Sequence, residues 1–175
     1  LGLLVGKMSQ VDNNKDLLKI GQVSFRTILG DIRTLPVDVL VQPSGTSPIG
    51  SPMQASPWVI DADVDRTITK ALSIHYPFRL GDVIVTSAGN LKAKYLFSAV
   101  VIDWGRQAPQ DDLLSYNIIL STARKCIDIA VALGVKSIAF TPWGTRVEAI
   151  DAAHVTALLV QAIASSVQEK AGALE

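Results

Sequence analysis

Val37-Asp38-Val39-Leu40-Val41 is the stretch that decides the fold, because it is a short apolar run enclosed by Pro36 and Pro43. Such a run is typical of a strand that is buried on both faces, as in parallel sheets. Upstream, residues 23–29 alternate apolar and polar side chains and end at Gly30-Asp31, the pattern of a strand with one buried face. The first third of the chain therefore predicts sheet strands.

Downstream, the pattern alternates between strands and helices. Residues 83–86 and 95–102 predict adjacent strands joined through a turn at Gly89-Asn90, and residues 137–140 predict another strand. Helical spacing marks residues 61–76, 111–133 and 151–170, with Gly134 ending the second helix and Asp151 capping the third. This order predicts an α/β fold, with a mixed, partly parallel central sheet sandwiched between helices in three layers.

The composition fits one compact domain. The chain has 175 residues, of which 49% are hydrophobic and 18% are charged. Sixteen basic residues balance sixteen acidic ones, so no overall field attracts nucleic acid or anionic lipid. No apolar run reaches 18 residues, so we expect neither a membrane span nor a membrane partner. A cytoplasmic location is the simplest expectation.

The chain divides into three parts. Residues 1–21 are interpreted as an N-terminal extension or an extra strand, 22–170 as the domain, and 171–175 as a tail. The ends at Leu1 and Glu175 are typical of a domain excised from a longer protein.

Few residues suggest a metal, a cofactor or a nucleophile. Cys126 is the only cysteine and is interpreted as a small buried hydrophobe. His75 and His154 lack a third ligand at metal spacing, so we expect no metal site. The chain has no phosphate-binding Gly-Lys-Ser/Thr loop and no serine-hydrolase elbow, and we expect no cofactor.

The expected binding edge lies beyond the carboxyl ends of the strands, after Ile28, Val41, Ile102 and Phe140. Residues 42–57 carry four prolines, two glycines and four serines without periodicity, which predicts a long loop at this edge. Long loops in compact domains are often functional.

Several segments in order resemble the landmarks of macro domains. They are Gly30-Asp31-Ile32, Val37 through Gly45, Gly81-Asp82-Val83-Ile84-Val85-Thr86 and Ser137-Ile138-Ala139-Phe140. The resemblance covers roughly residues 22–168 and implies a fold associated with binding ADP-ribose and related nucleotides. In the family, the last strand commonly follows the final helix. Here that strand is either truncated or replaced by the N-terminal segment, and both alternatives are open.

The resemblance places Asp31 and Ile32 at the base end of the ligand. In the family, this Asp accepts a hydrogen bond from the adenine amino group, and the backbone amide of the next residue assists. A carboxylate paired with an exocyclic amine favours adenine over bases that present a carbonyl there. The alternative is that Asp31 caps a turn.

Two ligand loops depart from the family pattern. Family hydrolases have Asn-Ala-Ala-Asn where this chain has Gln42-Pro43-Ser44-Gly45, so Ser44 and Gly45 stand at the distal ribose without the orienting Asn. Val64 and Asp65 match the family's Val-Asp pair, but Ile60-Asp61-Ala62-Asp63 replaces the glycines of the diphosphate loop. Asp65 is the one candidate catalytic residue, where it would act as a base or orient a water molecule. The alternative is that Asp65 is a carboxylate in the first turn of a helix, without a catalytic role.

The second phosphate loop also differs. The family's Ser-Thr-Gly is replaced by Gly144-Thr145-Arg146, after Trp143. Arg146 is interpreted either as a phosphate ligand or as the partner of a nearby acid. Trp143 either stacks on a base or forms a wall of the pocket.

Three functions follow from the resemblance. The leading one is a divergent macro domain that binds ADP-ribose or a related nucleotide-derived ligand without catalysis, with an ADP-ribose-like small molecule or an ADP-ribosylated protein as partner. The second is a degenerate macro domain that serves as a protein-interaction or structural module. The third is an ADP-ribosyl or O-acetyl-ADP-ribose hydrolase that uses Asp65.

Overall fold

A computed structural model describes residues 2–6, 18–20, 23–28, 30–46, 74, 77–103, 112–141, 143 and 152–172. The strands are β1 (Gly2–Gly6), β2 (Leu18–Ile20), β3 (Val23–Ile28), β4 (Val39–Gly45), β5 (Val83–Ser87), β6 (Tyr95–Ile102) and β7 (Ser137–Phe140). The helices in these ranges are α1 (Asp112–Ala132) and α2 (Ala152–Gly172), with a 3-10 turn at Ile32–Thr34.

The seven strands form one sheet in the order β2-β3-β1-β7-β4-β6-β5. β4 runs parallel to both β6 and β7, whereas β1 lies antiparallel between β3 and β7. β3 therefore points in the same direction as β4, β6 and β7. The mixed, partly parallel sheet of the predicted α/β fold is confirmed, and Gly2–Gly6 contribute a strand to it.

β4 is buried on both faces, as its apolar sequence predicts. Val39 and Val41 face α1 and α2 in a core that also contains Phe97, while Leu40 faces the opposite side with Ala139. Both described helices pack on the Val39 face. Cys126 of α1 is fully buried in this core as expected, and burial raises the pKa of its thiol.

The predicted end of β4 at Pro43 is wrong. The strand continues through Pro43 to Gly45, so the loop expected over residues 42–57 begins later. The pairing explains the difference, because β7 pairs with β4 only as far as Val41 whereas β6 continues beside it. Pro43 thus lies where β4 has one neighbour, a position that tolerates a missing N–H.

The ends of the other elements follow the sequence signals closely. β6 and β7 have the predicted bounds, and β5 pairs antiparallel with β6. Gly134 has a φ of 66°, the left-handed conformation that ends a helix at little cost for glycine. The predicted helix over residues 61–76 lies outside the described residues apart from Ile74, which is helical.

Asp38 holds together the amino-terminal edge of the parallel strands. Its carboxylate accepts hydrogen bonds from the backbone N–H of Lys136 (2.8 Å) and Ser137 (3.2 Å). The same carboxylate forms an ion pair with Lys94 Nζ at 2.7 Å. Its backbone carbonyl accepts from Lys94 and Tyr95. Burial opposes ionisation of Asp38, but the hydrogen bonds from Lys94, Lys136 and Ser137 outweigh it and lower the pKa.

We expect Asp38→Ala to lower the free energy of unfolding at pH 7 by about 1–3 kcal/mol, because it leaves donors of the β7 edge unpaired. A carboxyl whose pKa is lowered by folding stabilises above its unfolded pKa, near 3.8, and loses this effect as the pH falls through its folded pKa. The difference between the variant and the wild type should therefore shrink below about pH 4.

Urea denaturation at several pH values measures both effects. The control is Glu169→Ala, which removes an exposed ion pair with Arg124 at 3.8 Å and should change stability by at most about 0.5 kcal/mol. A difference for Asp38→Ala that stayed constant down to pH 2 would show that its charge contributes nothing.

Candidate functional site

The carboxyl ends of β3, β4, β6 and β7 meet at one edge of the sheet, as expected from their shared direction. The residues that follow these ends are Asp31, Thr46, Asp103 and Thr141. Thr46 donates its backbone N–H to Ile102 (3.0 Å) and its hydroxyl to Asp103 Oδ1 (3.3 Å), which joins the ends of β4 and β6. The expected binding edge is therefore a continuous surface.

A pocket lies on the face of the sheet opposite α1 and α2, between the 3-10 turn, the first half of β4, the start of β6 and the carboxyl end of β7. Its volume is about 310 Å³, including the solvent at its mouth. Aliphatic residues form most of the lining, namely Ile32, Leu40, Leu91 and Leu96, together with Val41, whose side chain faces α1 and α2. Three polar residues complete it, namely Arg33, Gln42 and Thr141. An apolar pocket with a few polar groups is the usual form of a small-molecule site.

Asp31 caps the turn beside this pocket, which is the alternative left open for it. Its Oδ1 accepts the backbone N–H of Arg33 (3.0 Å) and Arg33 Nε (2.6 Å), while Oδ2 forms an ion pair with the terminal Arg33 nitrogen. These hydrogen bonds from Arg33 lower the pKa of Asp31. The carboxylate is thus a fixed anion, and its partner Arg33 lines the pocket.

Of the predicted site residues Ile32, Ser44 and Gly45, only Ile32 lines the pocket. Ile32 is buried and forms part of the pocket wall. Ser44 and Gly45 end β4, where the register with β6 shifts so that Gly45 lies opposite Ile102. Gly45 is buried and supplies backbone but no side chain at this end of the strand.

Trp143 belongs to the core. It is fully buried, and its ring packs against Phe140 with centroids 5.7 Å apart and planes tilted by 54°. Trp143 thus lies in the core that α1 and α2 cover and is not among the residues that line the pocket.

Sequence reasoning missed Gln42, Arg33 and Thr141 as pocket residues. Gln42 is buried and its Nε2 donates to Ser98 Oγ (3.2 Å). Thr141 is 4% exposed, and its hydroxyl oxygen has no hydrogen-bond partner. Within the described ranges, Trp143 Nε1 is the other buried polar side-chain atom that has no hydrogen-bond partner. The position of Thr141 directly after a parallel strand is the signal that could have found it.

Five predicted site residues lie outside the described residues, namely Val64, Asp65, Gly144, Thr145 and Arg146. Their roles therefore stay predictions. Among the residues that are described, no group of three or more His, Cys, Asp or Glu could hold a metal ion. In the same part of the chain, neither helix combines the length and apolarity needed to cross a membrane.

Comparison with known proteins gives consistent results. The Macro domain family model matches residues 55–159. A mutant of the Oceanobacillus iheyensis macrodomain has 18% identity over 90% of this chain and 82% of that chain, with a TM-score of 0.67. The Trypanosoma brucei macrodomain in complex with ADP-ribose has 17% identity over 80% of this chain and 56% of that chain, with a TM-score of 0.61. No curated protein sequence matches.

We expect Arg33→Leu to raise the pKa of Asp31 back toward the ordinary carboxyl range, because the hydrogen bonds that lower it come from Arg33. A carbon-detected NMR titration of the Asp31 carboxyl measures this change. Lys125→Leu is the control, since Lys125 lies 3.8 Å from Asp82 and should leave Asp31 unaffected. An unchanged Asp31 titration in Arg33→Leu would contradict the ion pair.

Proposed function

The chain belongs to the macro domain family, and from this we propose that its pocket binds ADP-ribose or a related nucleotide-derived ligand without catalysing a reaction. One observation carries the proposal. The pocket lies against the turn that Asp31 caps and beside the carboxyl end of β7, and ligands of parallel sheets bind beyond such strand ends. Free ADP-ribose-like molecules and ADP-ribosylated proteins would present the same ligand.

The pocket wall suits the base end of such a ligand. Its aliphatic side chains can cover both faces of a flat heterocycle, while Arg33, Gln42 and Thr141 offer polar contacts at the ring edge. We place the base of the ligand against this wall, with the phosphates and the second ribose extending beyond it.

Asp31 retains the capacity to accept a hydrogen bond from an adenine amine. Each carboxylate oxygen offers about two lone pairs. Oδ1 accepts two hydrogen bonds from Arg33, whereas Oδ2 accepts one. The remaining acceptor site on Oδ2 is the one proposed for the amine, and the lowered pKa keeps the carboxylate charged at physiological pH.

The absence of catalysis is proposed from Gly45. This residue ends β4 without a side chain, at the position where family hydrolases orient the distal ribose with Asn. Catalysis depends on holding the reacting atoms in place, and a misplacement of about 1 Å can cost about a hundredfold in rate. Structures of the Oceanobacillus iheyensis and Trypanosoma brucei macrodomains contain ADPR or ADP-ribose, which supports binding as the retained property.

A protein-interaction module is the second candidate, and the Asp31–Arg33 ion pair favours it. The pair neutralises the carboxylate next to the pocket and places a guanidinium in the wall. A surface balanced in this way needs no small ligand to satisfy its charges. Binding of the domain to a protein partner that is unaffected by saturating ADP-ribose would support this candidate.

We expect isothermal titration to give a dissociation constant of roughly micromolar order for ADP-ribose. Asp31→Ala should weaken binding at least about tenfold, because hydrogen bonds to charged groups contribute about 1.5–3 kcal/mol. Glu169→Ala, on the far end of α2, serves as the control and should bind like the wild type. If the wild type released or absorbed no heat of binding with ADP-ribose, ADP or AMP, the binding proposal would be wrong and the interaction module would be favoured.

A further inference from the structure

We propose that Thr141 is a specificity-determining residue of the pocket, whose hydroxyl forms a hydrogen bond with the polar edge of the bound base. This inference rests on the proposed function and assigns a residue to its base end. Two observations carry it, namely the place of Thr141 in the pocket wall and the missing partner of its hydroxyl.

The hydroxyl of Thr141 is an exception among the buried threonine hydroxyls. Thr122 Oγ1 donates to the Ile118 carbonyl at 2.6 Å, and Thr86 Oγ1 donates to the Leu96 carbonyl at 3.4 Å. Thr141 Oγ1 is shielded from solvent and has no partner. Leaving a buried polar group unsatisfied is costly, so native structures keep such groups mainly where a ligand or a function uses them.

The backbone places Thr141 where it can serve a ligand. Its N–H approaches the Val41 carbonyl at 3.5 Å, which fixes the residue beside β4. Along β7, Ala139 faces the side of the sheet on which the pocket opens, and Thr141, two residues later, faces the same side. A rotation about χ1 moves the hydroxyl to another staggered position without moving the backbone, and so can turn the oxygen toward the pocket.

The surrounding wall gives this hydroxyl its discriminating role. Ile32, Leu40, Leu91 and Leu96 can contact any flat ring, since apolar contact does not distinguish one heterocycle from another. Gln42 Nε2 is already engaged by Ser98 Oγ. A hydroxyl both donates and accepts, so Thr141 can pair with a ring nitrogen or with an exocyclic group. Ligands without a polar group at that edge would leave it unsatisfied.

The experiment compares ADP-ribose binding with stability in Thr141→Val, which keeps the side-chain shape and removes the oxygen, and Thr141→Ser, which keeps the oxygen. We expect Thr141→Val to bind ADP-ribose about tenfold more weakly than the wild type. Its melting temperature without ligand should be unchanged or higher, because an unsatisfied hydroxyl is replaced by a methyl group. Thr141→Ser should bind within about threefold of the wild type.

Thr122→Val is the matched control, because it removes a buried hydroxyl that has a partner and lies in α1 rather than in the pocket. It should lower the melting temperature and leave ADP-ribose binding unchanged. Equal binding by the wild type and Thr141→Val would overturn the role of Thr141 while the proposed function stands. No binding by the wild type would overturn both, and a Thr141→Val that is less stable but binds normally would show a structural role.

Discussion

The burial of β4 on both faces is the constraint on which the rest of the structure depends. Val39 and Val41 are at most 1% exposed and Leu40 is 4% exposed, so neither face of this strand is open to water. Such a strand needs a neighbour on each side and a cover above and below. Parallel β6 and β7 supply the neighbours, and α1 and α2 cover one face. Because these three strands share a direction, their carboxyl ends point to one edge, and the pocket lies beside the end of β7, the shortest of the three.

The polar groups at the two edges of the parallel strands differ in whether they have hydrogen-bond partners. At the amino-terminal edge, the Asp38 carboxylate meets donors from Lys94, Lys136 and Ser137, and Ser137 Oγ donates in turn to that carboxylate. At the carboxyl edge, Thr141 Oγ1 and Trp143 Nε1 are buried without partners. Unsatisfied buried groups are rare in folded proteins and need a reason. The contrast supports our proposal that a ligand binds near the second edge.

The strands and helix ends could be predicted from sequence because they depend on local patterns. Residues 95–102 and 137–140 are apolar runs of strand length, and Gly134 is the favoured residue for ending a helix. Pro43 was misleading because its place in a strand depends on how far β7 extends, which is a tertiary property. The Asp31–Arg33 pair is local, two residues apart, and a turn of Gly-Asp followed by Arg could have suggested it.

The pocket was less predictable, since it joins residues from four separate segments. Leu91 lies between β5 and β6, and Ile32 belongs to the 3-10 turn. Gln42 lies in the middle of β4, and Thr141 directly follows β7. Only the edge itself follows from strand direction. Which side chains face the pocket depends on the alternation of each strand and on where its pairing ends. The sequence likewise could not show which way Trp143 packs. Its aromatic type suggested contact with a base, whereas its packing on Phe140 places it in the core.

Binding and catalysis make different demands on these residues, and the described site meets the first demand better. Affinity at the base end requires apolar contact and a few paired polar groups, which the pocket walls, Asp31 and Thr141 can supply. Catalysis requires in addition that the far end of the ligand be held in a reactive geometry. Gly45 offers only backbone at the end of β4, and this is the basis on which we propose binding without catalysis. A domain built in this way would retain a nucleotide without accelerating its hydrolysis, which is the property expected of a binding module.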